Sequence, residues 1–206
     1  YDLAGAIGAG LGVPIGLDTD VNAAALAEWR LGAGVGGNSL AYMTVGTGVG
    51  VGLVLEGRPI HGAAHPEAGH AFPRRDPEDD DFAGVCPFHG DCLEGLASGP
   101  AILARWGATL SDLPPDHPAH ARVAGYLAQA CHTLFAVTAV ETIVLGGGVL
   151  ATPGLLEWVT EATKRLGGEY LPGRERHCIC APGLGADSGL AGALLLAKAV
   201  AGGSAA

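Results

Sequence analysis

The run Cys86-Pro-Phe-His89-Gly-Asp-Cys92 constrains this chain more tightly than any other stretch of it. Metal-ligating side chains three residues apart on a tight turn can face one point, and Pro87 and Gly90 supply that turn. A distant fourth ligand, His70 in His65-Pro-Glu-Ala-Gly-His70, can close a tetrahedron. His70, Cys86, His89 and Cys92 therefore read as a zinc site. With four protein ligands there is no open position for water, so the ion is expected to be structural. The alternative is a solvent-facing loop whose thiols merely lie near one another.

The 206 residues, 49% of them hydrophobic, suffice for one large domain or two small ones. The most apolar stretches, 40–55 and 186–201, are broken by glycine, serine, aspartate or lysine, so no membrane partner is expected. The opening residues do not read as a signal peptide. Eleven basic against twenty-one acidic residues give a net charge of −10. That balance offers phosphate backbones no cationic footprint and argues against a nucleic-acid partner. Of the five cysteines two lie in the metal run, and the other three, Cys131, Cys178 and Cys180, read as small core residues. A disulfide framework is not expected, and a reducing cytoplasm fits.

Thirty-five glycines collect at 32–37, at Gly46-Thr47-Gly48-Val-Gly50 and at Gly146-Gly147-Gly148. The last two clusters follow apolar, strand-like runs at 40–45 and 142–145. Glycines at a strand end let backbone N–H groups approach an anion with no Cβ in the way. A hairpin turn or a close strand crossing explains such clusters equally well. Periodicity predicts helices at 3–11, 21–31, 99–106, 119–140, 155–166 and 187–201, and strands at 14–17, 40–45, 49–55, 142–145 and 177–180. The first two long strands form a hairpin, residues 61–92 are loop, 74–81 is a charged loop arm, and 202–206 is a frayed tail. A hairpin followed by alternating helices and strands is an α/β fold.

Asp18-Thr19-Asp20-Val-Asn22 opens the first long helix, and Asp20 reads either as its cap or as a base. The helix dipole favours negative charge there, and a carboxylate so placed can accept the proton of an attacking hydroxyl. Glu67 and Glu94 bracket the metal run. Held rigidly with His70 at one rim, they suit vicinal sugar hydroxyls, each of which donates and accepts; solvated glutamates are the alternative.

The stretches His65-Pro-Glu-Ala-Gly-His70, Cys86-Pro-Phe-His-Gly-Asp-Cys-Leu-Glu94 and Ala97-Ser-Gly-Pro100 resemble the signature of the ROK family of sugar kinases and repressors, most closely its fructokinase branch. Asp18-Thr-Asp20-Val-Asn22, Gly46-Thr-Gly-Val-Gly50 and Gly146-Gly-Gly-Val149 match the family in order and relative position. The resemblance implies an actin-like, ribonuclease-H-like α/β fold and ATP-dependent phosphorylation of fructose at its 6-hydroxyl. Another hexose kinase of the family, for glucose, mannose or an amino sugar, or a non-catalytic sugar sensor, is the alternative. It implies Asp20 as catalytic base, and Glu67, His70 and Glu94 in the sugar pocket. Gly46, Thr47 and Gly48 would meet the ATP phosphates, with Pro100 and Gly146, Gly147, Gly148 and Val149 lining the nucleotide. His70, Cys86, His89 and Cys92 would hold zinc, and Mg2+ would accompany ATP. Thr19 stands where the glucose and amino-sugar kinases usually carry asparagine, which favours the fructokinase branch. Relatives are usually dimers, so a homodimer is implied. They also open on an Asp-x-Gly-Gly-Thr phosphate loop with no counterpart here. The expectation is therefore a chain lacking an N-terminal domain of about 90 residues, with 1–35 ending the first lobe and 36–206 forming the second, its zinc loop at 61–98.

Overall fold

The computed structural model describes residues 2–79 and 81–202. Helix α1 (Leu3–Leu11) is capped by Asp2 and stops at Gly12. Helix α2 spans Asp20–Leu31. Strands β1 (Ser39–Val45) and β2 (Val49–Leu55) form the expected antiparallel hairpin, with Val45 opposite Val49, and β3 (Arg58–Pro59) extends it. A long loop with 3-10 turns at Ala68–His70 and Pro77–Asp79 leads to α3 (Leu93–Ala97) and α4 (Gly99–Trp106). Then follow α5 (Pro118–Thr138), β4 (Thr142–Gly146), α6 (Leu155–Gly167), β5 (Cys178–Cys180) and α7 (Ser188–Ala201). The five strands lie in the order β3-β2-β1-β4-β5, with β4 parallel to both β1 and β5.

The two faces of the sheet follow from side-chain alternation along β1. Ala41, Met43 and Val45 join a core with α3, α5 and α6 residues such as Leu96, Leu127 and Val159. Leu40 and Tyr42 point the other way, into a second cluster with Ala23, Leu26 and Leu196 from α2 and α7. Helices thus cover both faces, which is why β4 reads as a continuous apolar run.

Several expectations are corrected. Residues 14–17 are coil and pair with no strand, because a strand-like sequence without a ladder partner remains coil; Gly16 lies instead against Val200 and Leu196 of α7. The cap of α2 is Thr19, whose hydroxyl accepts from the Asn22 N–H at 3.1 Å, while Asp20 is already helical. Cys131 is in the core, and burial pushes its thiol up to about 12. Cys178 is exposed and Cys180 only partly covered, because β5 is an edge strand. The stretch 61–98 ends in α3 rather than in loop.

The charged arm at 74–81 is not a solvated run. Asp79 is fully buried and pairs with Arg105 and Arg122, while Tyr126 donates to its carboxylate. Arg75 braces the arm from within by donating to the carbonyls of Asp79 and Phe82, while Arg105, Arg122 and Tyr126 pin it onto α4 and α5. Residue 80 of that arm, and 203–206 of the expected tail, lie outside the described residues. Among the described residues, no helix is long and apolar enough to cross a membrane.

Glu28 on α2 is fully buried and joins the end of α2 to the start of α7. Its carboxylate accepts from the backbone N–H groups of Ala33 (2.8 Å), Gly183 (2.9 Å) and Leu184 (3.0 Å) and from the Ser188 hydroxyl (2.7 Å). Four donors replace the water that a buried carboxylate would lose. Glu28→Ala strands all four and should cost about 3 kcal/mol or more in denaturant unfolding of the full-length protein; a cost under about 1 kcal/mol would show that the network is dispensable.

Candidate functional site

The site is assembled around the β1–β2 turn. Gly46-Thr47-Gly48 reverses the chain, with the Gly46 N–H donating to the Gly48 carbonyl at 2.9 Å. The Gly46 carbonyl accepts from the Gly99 N–H at 2.7 Å, which fastens the first turn of α4 to the hairpin. The Val49 N–H donates to Glu94 Oε2 at 3.1 Å, fastening α3 to it as well. A Cβ on residue 48 would sit 2.7 Å from Glu94 Oε2, so a side chain there would push that carboxylate aside.

Two cavities meet at this turn, and both are lined by Gly46 and Thr47. One, of about 470 Å³, is lined by Thr19 and Asp20 from the start of α2, by His65, Pro66 and Glu67 from the long loop and by Glu94 from α3. Asp20 is exposed to it, with Oδ1 accepting from the Val21 N–H at 2.9 Å. The Glu67 carboxylate lies 2.8 Å from His65 Nε2. The second cavity, of about 630 Å³, is largely apolar and is lined by Pro100, Ile102, Leu103, Leu110, Gly148 and Val149. Ser111 and Thr152, also in its wall, join their hydroxyls at 3.0 Å.

Most of the sequence-predicted residues converge here. Asp20, Glu67, Glu94 and Gly48 share the polar cavity; Pro100, Gly148 and Val149 share the apolar one; Gly46 and Thr47 stand at the junction. Gly146 and Gly147 are set back from both. Gly146 packs against Tyr42, and Gly147, at φ 94°, runs so close to the Val45 backbone that a side chain would collide. His70 stands behind Glu67 rather than on the cavity wall, with Nε2 4.0 Å from Glu67 Oε2. Sequence reasoning missed His65, the segment 109–111 and Thr152. Of these only His65 carried a signal, standing two residues before Glu67.

The other ring nitrogen of His70 faces the ligand cluster. Nδ1 lies 3.7 Å from Cys86 Sγ and 3.6 Å from Cys92 Sγ, and His89 Nδ1 lies 3.7 Å from Cys86 Sγ. The donor atoms of all four residues fall within 4.8 Å of one another. A tetrahedral ion bonded at about 2.0–2.3 Å places its ligand atoms roughly 3.3–3.8 Å apart, so the donor set fits such an ion. His70, Cys86, His89 and Cys92 therefore form a group that could hold a metal. Burial raises the Cys92 thiol above its ordinary value, so proton and metal would compete for that sulfur.

Behind Asp20 lies a second carboxylate. Burial pushes the Asp18 carboxyl upward, but hydrogen bonds from Asn22, His61 and the Thr19 N–H outweigh it, and the group titrates below the usual aspartate range. Asp18 is therefore a fixed negative charge beside the cavity. The arrangement as a whole, a carboxylate-lined cavity and an apolar cleft joined at a glycine turn, suits transfer of a group from an anionic molecule in the cleft to a hydroxyl in the cavity.

Residues 1–200 match the ROK family model. The chain is 48% identical over 191 residues to a fructokinase of Zymomonas mobilis subsp. mobilis, covering 91% of this chain and 64% of that protein. It is 39% identical over 201 residues to a fructokinase of Pediococcus pentosaceus, covering 97% and 69%. Among solved structures, a ROK hexokinase from Thermus thermophilus aligns with a TM-score of 0.79 at 31% identity, covering 98% of this chain and 70% of that one. The chain thus spans about two thirds of the length of the proteins it matches. Its fold is the actin-like ATPase fold of these sugar kinases.

The ligand geometry predicts about one metal ion per chain in protein purified without chelators. Cys92→Ser should abolish that occupancy and lower the melting temperature, and acidification should release the ion as protons claim the thiolates. A metal-free protein with an unchanged melting temperature would contradict this.

Proposed function

The chain belongs to the ROK family, and we propose that the whole protein phosphorylates fructose with ATP at the sugar's 6-hydroxyl. The observation that carries this is the pair of cavities sharing the Gly46–Thr47 turn, one bearing Asp20, Glu67 and Glu94 and the other apolar. Fructose is favoured over other hexoses by the identity to two fructokinases. A hexose of broader choice is the second reading, favoured by the likeness to the Thermus hexokinase.

In this reading fructose lies in the polar cavity, where Glu67 and Glu94 accept hydrogen bonds from its hydroxyls and His70 steadies Glu67 from behind. Asp20 accepts the proton of the 6-hydroxyl as that oxygen attacks the terminal phosphorus, whose bond to the bridging oxygen breaks and leaves ADP. The Gly46-Thr47-Gly48 turn and the first turn of α4 near Pro100 present backbone N–H groups toward the phosphates. The base and ribose take the apolar cleft beside Gly148 and Val149, and the strand-end glycines Gly146 and Gly147 hold that wall in place. Mg2+ bound with ATP would neutralise phosphate charge. The two-cysteine, two-histidine donor set suits zinc, held by His70, Cys86, His89 and Cys92 in a structural role. The same reading divides the chain into the end of a first lobe, 1–35, and a second lobe, 36–206, with its metal loop at 61–98. It places the protein in the cytoplasm as a homodimer.

Purified full-length protein supplied with ATP, Mg2+ and a panel of hexoses should consume ATP chiefly with fructose. Asp20→Asn should lower turnover by about 10²-fold or more while fructose still binds. Stability should change little, because Thr19 supplies the cap of α2. An Asp20→Asn enzyme with full turnover would remove Asp20 from the chemistry, and a preference for another hexose would move the substrate assignment.

A further inference from the structure

The polar cavity has two walls from distant parts of the chain, the turn carrying Thr19 and Asp20 and the segment carrying Pro66 and Glu67. Among the described residues, the only member of 61–67 that hydrogen-bonds to the 18–22 turn is His61. Its Nε2 lies 3.0 Å from Asp18 Oδ1, and the same oxygen accepts from the Thr19 N–H at 2.8 Å and from Asn22 Nδ2 at 2.9 Å. The Asp18 side chain is only 5% exposed, so these donors stand in for most of its hydration. From His61 the chain makes a tight turn, with the Gly62 N–H donating to the Ala64 carbonyl at 2.8 Å, and arrives directly at His65 and Glu67.

We propose that His61 is a positioning residue for the sugar: its bond to Asp18 clamps the Asp20 wall to the Glu67 wall and so fixes the width of the polar cavity. The clamp acts on both walls at once. It holds the turn that presents Asp20 from behind, and it anchors the start of the segment that presents Glu67. Released, the two walls no longer keep the spacing at which one ring meets Asp20 and Glu67 together, and sugar affinity falls. The apolar cleft shares no residue with the clamp, so nucleotide binding is untouched. The inference rests on the sugar-kinase reading of the site.

His61 is 47% exposed in its side chain, so replacing it leaves the core intact. In the full-length protein, His61→Ala should raise the KM for fructose about tenfold, the scale of one hydrogen bond to a charged acceptor, with the KM for ATP unchanged. His61→Gln restores an N–H donor at similar reach and should return the KM for fructose to within about threefold of the parent value. An unchanged fructose KM in His61→Ala, equal behaviour of the alanine and glutamine variants, or parallel rises in both KM values would each overturn the proposal. A parent protein that phosphorylates no hexose removes the functional reading and this inference with it. A normally active parent with an indifferent His61→Ala removes the inference alone.

Discussion

The convergence of His70, Cys86, His89 and Cys92 on one point is the constraint from which the rest of the site hangs. Few of the loop residues between His61 and Cys92 are buried, and the cluster gives that loop a fixed end. Cys92 is also the residue from which α3 springs, so fixing its sulfur fixes Glu94 two residues on. Glu94 in turn takes the Val49 N–H, and Ser98, at the junction of α3 and α4, aims the Gly99 N–H at Gly46. On the other side His70 backs Glu67. One set of four side chains thereby places Glu67 and Glu94, two of the three carboxylates of the polar cavity, and the turn that divides it from the apolar cleft.

The sheet supplies the rigid half of this arrangement. β1 is buried on both faces, and β4 runs parallel beside it, so core packing fixes both strands up to the glycines at which they end. Buried charge networks fasten the surrounding layers. Glu28 joins α2 to α7 behind the sheet, and Asp79 with its arginines seats the charged arm on α4 and α5. Glu28 has hydrogen-bond donors on both carboxylate oxygens, and Asp79 faces two arginines and the Tyr126 hydroxyl, so each buried carboxylate has charged or polar partners in place of water.

What was legible in the sequence was what depends on local pattern. The hairpin followed from two β-branched runs around a glycine turn, and the gathering of His70, Cys86, His89 and Cys92 at one place followed from their spacing. The helix at 99–106 could be bounded because Ser98 and Gly107 mark its ends. Features set by distant partners were illegible. Nothing local says that Asp79 will meet Arg105 and Arg122, that residues 14–17 will find no strand to pair with, or that β5 will be an edge that leaves Cys178 uncovered. Which residue caps α2 was illegible for a subtler reason. Asp18, Thr19 and Asp20 are all good caps, and the choice fell to Thr19 because Asp18 is drawn to His61 and Asn22. The polar wall of the apolar cleft, Ser111 with Thr152, joins residues that carry no distinguishing pattern at all.

If the metal cluster organises the site, the hydrogen bonds at the β1–β2 turn should depend on it. Amide hydrogen exchange of the full-length protein before and after chelation measures that dependence residue by residue. The account predicts faster exchange at Val49 and Gly99 on metal removal, with Gly183 and Leu184, held by Glu28, unaffected. Undiminished protection at Val49 and Gly99 in metal-free protein would contradict it, since the turn would then stand without the cluster.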